Sequence, residues 1–259
     1  MTVLPAVSGA FPPAHEDTMT LTAPTIVQRP QGSDRPSGPV VARILLEIGA
    51  VLMRPKDPFT LTSGRASPVY VDCRKVIGFP RARAMIIGHA IDAIFREIGT
   101  ESLDVIAGGE TAGIAYAAWI AEKLGLPMSY IRKKPKGFGR NAQIEGVLPE
   151  GARALLVEDL ATAGGSILNF VNAIRTAGGQ VSHALVVFHY GIFPQAVEDL
   201  KAQGVSLIGL TTWRDVLQAA GDLGTLDAAD AKEVRSFLEN PEAWSLAHGG
   251  KELGGKEPA

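Results

Sequence analysis

Two adjacent carboxylates, Glu158 and Asp159, stand between a short apolar run and a turn of small residues. The apolar run is 155–157, and the turn at 162–166 contains two hydroxyl side chains and two glycines. Backbone N–H groups in such a turn, at the start of a helix, suit a phosphate monoester. Carboxylates so close to a phosphate would repel it unless they had another partner, such as a pair of sugar hydroxyls. The stretch 158–166 therefore predicts a site for a phosphorylated sugar, although acids before an ordinary helix start would also be favoured by the helix dipole.

A basic loop follows the apolar run 128–131. Residues 132–140 carry five cations, with two glycines and one proline among them. A solvated loop or a small nucleic-acid patch would also be rich in cations. Because the formal net charge of the chain is only −2, we favour a lid that meets a polyanion. Pyrophosphate is a suitable target, since negative charge grows on it as a bond to it breaks.

Two further segments have a composition that could serve a ligand. Residues 59–72 contain Ser-Gly and Ser-Pro steps, which fit a turn leading into an edge strand. Residues 108–113 read Gly-Gly-Glu-Thr-Ala-Gly and follow a short apolar run. Small residues there would let backbone N–H groups approach a ligand, although a plain helix-initiating turn also fits.

Short apolar runs and longer helix-like runs alternate between the two ends of the chain. The short runs predict strands at 69–72, 103–107, 128–131, 154–157, 184–188 and 206–210. The longer runs predict helices over 40–53, 81–98, 113–124, 166–177, 194–203 and 227–239. This alternation predicts an α/β fold, with a parallel twisted sheet flanked by helices. Ligands bind beyond the carboxyl ends of the strands in such folds, which is where the candidate residues stand.

The composition excludes several classes of protein. Hydrophobic residues make up 46% of the chain and charged residues 20%, so wholesale disorder is excluded. The near-neutral charge argues against a nucleic-acid partner, and no apolar run approaches the roughly 18 residues of a membrane span. The single cysteine, Cys73, can form neither an internal disulfide nor a Cys-based zinc site. We therefore expect a cytoplasmic protein with no nucleic-acid and no membrane partner.

Changes in composition predict the limits of the folded domain. Residues 1–39 hold seven of the 17 prolines and little apolar periodicity, which predicts a disordered or extra N-terminal tail. Residues 247–259 contain two Gly-Gly pairs and predict a flexible C-terminal tail. The remaining residues, 40–246, are of the usual size for one domain.

These motifs together resemble one enzyme family. Residues 158–166 resemble the phosphoribosyl-pyrophosphate signature of type I phosphoribosyltransferases, and 132–140 resemble the catalytic loop of orotate phosphoribosyltransferases. Residues 59–72 resemble the N-terminal motif of the same family that helps enclose the flat base, and 108–113 its pyrophosphate loop. The resemblance implies the type I phosphoribosyltransferase fold, with a small hood from the N-terminal part. The implied reaction transfers the phosphoribosyl group from 5-phosphoribosyl-1-pyrophosphate to orotate, giving orotidine 5′-phosphate and pyrophosphate in pyrimidine biosynthesis.

The resemblance also implies a role for each matched residue. The catalytic residues would be Lys133, Arg132 and Lys136. The residues that bind the ribose and the 5′-phosphate would be Glu158, Asp159, Leu160, Ala161, Thr162, Ala163, Gly164, Gly165 and Ser166. Those that bind pyrophosphate would be Glu110, Thr111, Ala112 and Gly113. Those that bind orotate would be Thr62, Ser63, Gly64, Arg65, Tyr70, Val71 and again Thr162.

The family further implies a cofactor and an assembly. Mg²⁺ would be held mainly by the substrate, so no protein metal site is expected. The enzyme would work as a homodimer in which the basic loop reaches into the neighbouring subunit's site. Three departures concern the substrates: Phe138 replaces a His found in many members, Thr62 replaces a Lys found in some, and 189–191 lacks an Arg that in many members holds the orotate carboxylate. Two alternatives therefore stay open, namely a type I transferase for another base, as in purine salvage, and a non-catalytic regulator with the same fold.

Overall fold

The structure is a computed structural model that describes residues 37–61, 63–99, 101–137, 139 and 142–251. Its central sheet has six strands, in the spatial order Ser206–Thr212 (β10), Gln180–His189 (β9), Arg153–Ala161 (β8), Val105–Gly109 (β5), Met128–Ile131 (β6) and Ile144–Gly146 (β7). The first five run parallel, and β7 pairs antiparallel with β6 at the edge. The predicted parallel sheet is therefore confirmed, with one antiparallel strand added to it.

Helices cover both faces of this sheet. In the described residues they are Gly38–Glu47 (α1), Pro80–Glu97 (α2), Ala112–Leu124 (α3), Gly165–Thr176 (α4), Pro194–Ala202 (α5), Trp213–Asp222 (α6), Ala228–Glu239 (α7) and Pro241–Ala247 (α8). Alternate side chains of β8 belong to two different hydrophobic clusters. Leu155 and Val157 pack in one cluster, and Leu156 packs in the other. A strand buried on both faces explains the continuous apolar run seen in the sequence. None of the helices in the described ranges combines the length and the hydropathy that a bilayer crossing requires.

The predicted helix over 40–53 is wrong in its last residues. Helix α1 ends at Glu47, and Gly49 follows with a φ of +64°, a conformation that glycine adopts readily and that ends helices. The chain then forms strand β1, Val51–Met53, which pairs antiparallel with strand β4, Val69–Val71. Periodicity could not reveal this, because an apolar run of three residues fits a helix end or a strand equally well.

Residues 51–78 form a small hood built from short strands. Besides the pair β1 and β4, it contains the hairpin of Phe59–Thr60 (β2) with Ala66–Ser67 (β3) and the 3-10 helix Cys73–Gly78. The rings of Phe59 and Tyr70 lie 5.7 Å apart, centroid to centroid, and tie the hairpin to β4. The hood therefore carries the segment that the sequence predicts to enclose the base.

The C-terminal helix α8 and the residues after it brace the hairpin of the hood. The backbone N–H of Ala66 donates to the Oγ of Ser245, at 2.9 Å, and Ser245 is only 1% exposed. Beyond the helix, the backbone N–H of Lys251 donates to the carbonyl oxygen of Gly64, also at 2.9 Å. Gly250 lies so close that a Cβ there would be 2.6 Å from the nitrogen of Ala66. We call these contacts of Ser245, Gly250 and Lys251 with the hairpin the C-terminal brace.

These contacts bear on the predicted limits of the domain. The C-terminal brace extends to Lys251, five residues past the predicted boundary at 246. At the other end, Ser37 is buried and its Oγ donates to the carbonyl oxygen of Leu210, at 3.1 Å. The folded domain therefore begins at or before residue 37 and ends at or after residue 251. The rest of the predicted tails, 1–36 and 252–259, lies outside the described residues.

Ser245→Ala is expected to lower the free energy of unfolding by about 1–3 kcal/mol, because it leaves the buried N–H of Ala66 without an acceptor. Urea denaturation at neutral pH measures this difference. Ser236→Ala, the same change at an exposed position of α7, should stay within about 0.5 kcal/mol of the wild type. Equal stabilities of the two variants would show that the C-terminal brace contributes little.

Candidate active site

A cavity of about 350 Å³ opens at the carboxyl ends of the parallel strands. Residues that follow β5, β6 and β9 contribute to its wall, together with the last part of β8 and the end of β4. The twelve lining residues are Tyr70, Val71, Asp72, Arg74, Glu110, Thr111, Ala112, Lys133, Glu158, Asp159, Leu160 and Tyr190. This is the edge of the sheet at which α/β folds bind their ligands.

The cavity unites residues from all four predicted segments. The predicted site residues in its lining are Tyr70, Val71, Glu110, Thr111, Ala112, Lys133, Glu158, Asp159 and Leu160. The lining residues absent from the predicted site are Asp72, Arg74 and Tyr190. The predicted residues that do not line it are Ser63, Gly64, Arg65, Gly113, Arg132, Lys136, Ala161, Thr162, Ala163, Gly164, Gly165 and Ser166. Thr62 and Phe138 lie outside the described residues.

The acid pair lies within strand β8, which continues to Ala161. The predicted strand end at residue 157 is therefore four residues too early, because polar residues at the end of a strand do not interrupt its pairing with β9. Successive side chains of a strand point to opposite faces. Glu158 accordingly points towards α4, where its carboxyl group and the ring of Phe170 both lie next to Gly109. Asp159 faces the hood and interacts electrostatically with Arg74.

The carboxyl group of Glu158 is buried, with 8% of the residue exposed. Its Oε1 has no hydrogen-bond partner among the described residues. Gly109 and Gly113 make room for it, since a Cβ would stand 2.5 Å from Oε1 at the first and 2.4 Å at the second. These glycines thus admit the carboxyl group, a different use from the predicted approach of backbone N–H groups to a ligand. Burial, assisted by the neighbouring Asp159, raises the pKa of Glu158 to about 8.

The raised pKa of Glu158 predicts how stability depends on pH. Its pKa lies near 4.5 in the unfolded chain and near 8 in the folded one, so between these values the folded state binds more protons. The contribution of Glu158 to the free energy of unfolding is therefore full below about pH 4.5 and is lost as the pH rises towards 8.

Glu158→Gln is consequently expected to gain stability relative to the wild type as the pH is raised from 5 to 8, in the window set by the raised pKa. Urea denaturation at several pH values measures the difference. Glu122→Gln, at an exposed position of α3, is the matched control for the loss of one carboxylate. A difference between Glu158→Gln and the wild type that did not vary with pH would contradict the assigned titration.

Lys133 is held in place through its backbone. Its N–H donates to the Oε2 of Glu110, at 2.8 Å, and its carbonyl oxygen accepts from the Nδ2 of Asn169, at 3.2 Å. Glu110 is one of the residues predicted to bind pyrophosphate, and in the structure its carboxylate accepts a hydrogen bond from Lys133. Glu110 and Asn169 therefore hold the backbone of Lys133 in the position in which this residue lines the cavity.

Arg132 and Lys136 lie outside the cavity of their own chain. The Nη1 of Arg132 forms an ion pair with the Oε1 of Glu145, at 3.2 Å, and both side chains are about one third exposed. The backbone N–H of Lys136 donates to the carbonyl oxygen of Ala142, at 2.8 Å, and the residue is exposed. The described part of the basic loop thus brings Lys133 to the site and leaves these two cations on the outside.

The turn after β8 leads into α4 through Gly164. Its φ of +80° is a left-handed conformation that favours glycine. No side chain caps the start of this helix, so the first backbone N–H groups of the 12-residue helix keep their capacity to bind an anion. Thr162 and Ala163 stand before it and Ser166 in its first turn. Phosphate binding by the turn 162–166 stays a prediction.

Comparison with known proteins extends these observations. Residues 80–210 match the model of the phosphoribosyl transferase domain family. The orotate phosphoribosyltransferase of Sinorhizobium medicae is 55% identical over 211 residues, which cover 82% of this chain and 91% of that relative. The enzyme of the same name from Cereibacter sphaeroides is 57% identical over 208 residues, which cover 80% of this chain and 90% of that relative.

Solved structures agree with this relationship. The crystal structure of orotate phosphoribosyltransferase from Aeropyrum pernix matches with a TM-score of 0.59 and 31% identity, over 70% of this chain and 99% of that chain. The Mycobacterium tuberculosis enzyme in complex with 5-phospho-α-D-ribosyl 1-diphosphate matches with a TM-score of 0.54 and 26% identity, over 70% of this chain and 99% of that chain. By sequence and by fold, the chain belongs to the orotate phosphoribosyltransferase family.

Proposed function

We propose that this chain transfers the 5-phosphoribosyl group of 5-phosphoribosyl-1-pyrophosphate to orotate, which gives orotidine 5′-phosphate and pyrophosphate. One observation carries the assignment of its residues. A single cavity joins Tyr70 and Val71 of the hood, the acid pair of β8, and Lys133 with the loop after β5. These are the residues that a base, a ribose and a pyrophosphate would each require.

The ribose would lie against Glu158 and Asp159. Carboxylates accept hydrogen bonds from hydroxyl groups, and both residues line the cavity, with their side chains on opposite faces of β8. The unpartnered Oε1 of Glu158 has capacity for such a bond once the site rearranges around the donor. The 5′-phosphate would bind beyond the acid pair, at the turn 162–166 and the uncapped start of α4.

The chemical step breaks the bond between the anomeric carbon and pyrophosphate and forms one from that carbon to a ring nitrogen of orotate. The proton of that nitrogen passes to an oxygen of the departing pyrophosphate, which leaves with the bonding electron pair. As in the family, positive charge develops at the anomeric carbon. The residues of this chain then act mainly by positioning the substrates, excluding water and stabilising the departing pyrophosphate, to which we assign Lys133. Glu110 and Asn169 would serve this step by holding the backbone of Lys133.

Mg²⁺ is the cofactor that the family implies. Within the described ranges, no group of three or more His, Cys, Asp and Glu side chains is arranged to bind a metal ion. The carboxylates of the acid pair, together with the oxygens of the donor, nevertheless form the all-oxygen set that Mg²⁺ prefers. We propose that the ion binds mainly through the donor, beside Glu158 and Asp159, and neutralises charge on pyrophosphate when bound.

The active unit would be a homodimer. Arg132, which is about one third exposed, and Lys136, which is exposed, lie outside the cavity of their own chain, and cations on a loop can serve a neighbouring site. We assign these two residues to the cavity of the partner subunit, and Lys133 to the cavity of its own chain. We also propose a cytoplasmic location, which suits the free and buried thiol of Cys73.

Incubation with the donor, Mg²⁺ and a panel of bases tests the proposed reaction. Release of pyrophosphate with orotate, and not with hypoxanthine, adenine or guanine, is the expected result. Turnover of a purine base in place of orotate would indicate a salvage enzyme instead. Donor binding without pyrophosphate release for any base would indicate a regulator with this fold.

A further inference from the structure

The cavity contains a cation that the proposed reaction has not yet used. Arg74 and Lys133 are the two cationic residues in its lining. Arg74 lies in the hood, three residues after the end of β4, the strand to which we assign the base. Lys133, whose backbone is held by Glu110, interacts electrostatically with Glu158, whereas Arg74 interacts with Asp159. The two cations therefore lie near different acids of the cavity lining.

The guanidinium group of Arg74 is oriented by one neighbour. Its Nε donates to the Oδ1 of Asp72, at 2.8 Å, and the same oxygen accepts from the backbone N–H of Arg74, at 3.2 Å. In the part of the chain that the structure describes, Asp72 is the side-chain partner of this group, and Nη1 and Nη2 have none. The arginine side chain is 62% exposed, so these two nitrogens can still donate to a ligand.

Orotate differs from other pyrimidine bases by its carboxylate. Besides the two cations, the lining of the cavity carries four acids, namely Asp72, Glu110, Glu158 and Asp159. A carboxylate that entered this cavity without a cation beside it would be repelled by its walls. The planar guanidinium of an arginine binds a carboxylate through two parallel hydrogen bonds, which fix its orientation as well as its charge.

We propose that Arg74 binds the carboxylate of orotate and thereby determines the preference for orotate over bases that lack this group. The inference rests on the proposed reaction and deepens it, because it names the residue that recognises the carboxylate of the substrate. Asp72 acts as a positioning residue, since it holds the Nε of Arg74 and leaves the two Nη nitrogens able to donate to a ligand.

The test compares orotate with uracil, which is the same base without the carboxylate. Arg74→Ala should raise the KM for orotate about 10- to 100-fold, the usual cost of losing a charge-assisted hydrogen-bonded pair. The kcat with orotate and the KM for the donor should each change less than about threefold, because neither depends on the carboxylate. The preference for orotate over uracil, measured as the ratio of kcat/KM values or of inhibition constants, should fall by the same factor as the orotate KM rises.

Two further variants sharpen the result. Arg74→Lys keeps the charge and loses the planar fork, so its orotate KM should lie between those of the wild type and Arg74→Ala. Arg81→Ala removes an exposed cation of α2 that does not line the cavity, and it should leave both the KM for orotate and the preference for it unchanged.

An unchanged orotate KM in Arg74→Ala would overturn the inference. So would a rise in the KM for the donor with an unchanged preference for orotate over uracil, which would assign Arg74 to pyrophosphate. Failure of the proposed reaction is distinguishable from both, because the wild type itself would then show no turnover of orotate.

Discussion

Lys133→Ala is expected to lower kcat with orotate by about 100- to 1,000-fold, the range seen when a group that stabilises developing negative charge is removed. The KM for the donor should change less than about tenfold, because the charge on pyrophosphate grows mainly as the bond breaks. The structure supports this division, since the side chain of Lys133 lines the cavity and its backbone is fixed by Glu110 and Asn169. Steady-state kinetics with both substrates varied gives the two constants.

Lys134→Ala is the matched control for this prediction. Lys134 is the next residue in the same loop, carries the same charge and is exposed, but it does not line the cavity. Its kcat should stay within about threefold of the wild type, since an exposed charge outside the site interacts weakly with the substrate. An unchanged kcat in Lys133→Ala, or an equal loss in both variants, would remove the catalytic assignment of Lys133.

Asp159→Ala is expected to weaken binding of the donor about 10- to 100-fold, since hydrogen bonds to a charged group contribute roughly 1.5–3 kcal/mol. Asp159 lies on the hood side of β8 and lines the cavity, where a ribose hydroxyl can reach it. Burial raises its pKa above the usual value, so removal of the side chain should also relieve some of the cost of keeping it charged. Calorimetric titration with 5-phosphoribosyl-1-pyrophosphate and Mg²⁺, without a base, measures the affinity directly.

Asp92→Ala, at an exposed position of α2, controls for the loss of one negative charge and should leave the affinity for the donor unchanged. Donor affinity equal to that of the wild type in Asp159→Ala would exclude its role at the ribose. The predictions for Lys133 and Asp159 are also separable from each other, because the first concerns mainly kcat and the second mainly the dissociation constant.

The parts of the site that lie on one short stretch of chain could be predicted from the sequence. The acid pair and the turn to which we assign the phosphate occupy residues 158–166, and their order follows directly from a strand that leads into a helix. The α/β alternation then placed the loops after β5, β6 and β8 at one edge of the sheet. That rule brought Lys133, Glu110 and Asp159 together without any knowledge of the contacts between them.

Residues whose role depends on distant contacts could not be predicted. Glu110 accepts a hydrogen bond from a residue 23 positions away, and Asn169 donates to one 36 positions away, and such pairs leave no local pattern. Arg74 follows a recognisable segment, yet its place in the cavity depends on how the hood packs over the sheet. Tyr190 likewise enters the cavity because its ring packs against Phe188 and Trp213, at 5.6 and 5.7 Å between centroids.

The missed elements of the fold have two different explanations. Strand β7 has only three residues, none of them buried, so no apolar run marks it, and it exists because β6 offers an edge to pair with. Helix α6 could have been found, since Thr212 and Asp215 form a capping box at its start, a signal that can be read at a spacing of three residues. Strand β7 depends on its pairing with β6, whereas the start of α6 depends on the local capping residues.

The C-terminal brace limits where the chain can be joined to another sequence. A tag or partner protein fused directly after Ala247 would replace Lys251, which donates to the carbonyl oxygen of Gly64, and Gly250, which packs against the backbone nitrogen of Ala66. A bulkier residue at 250 would collide with the backbone nitrogen of Ala66. Expression vectors for this protein should therefore carry any C-terminal extension after residue 259, and an immobilised enzyme tethered there should retain the hairpin of the hood beside β4, the strand to which we assign the base.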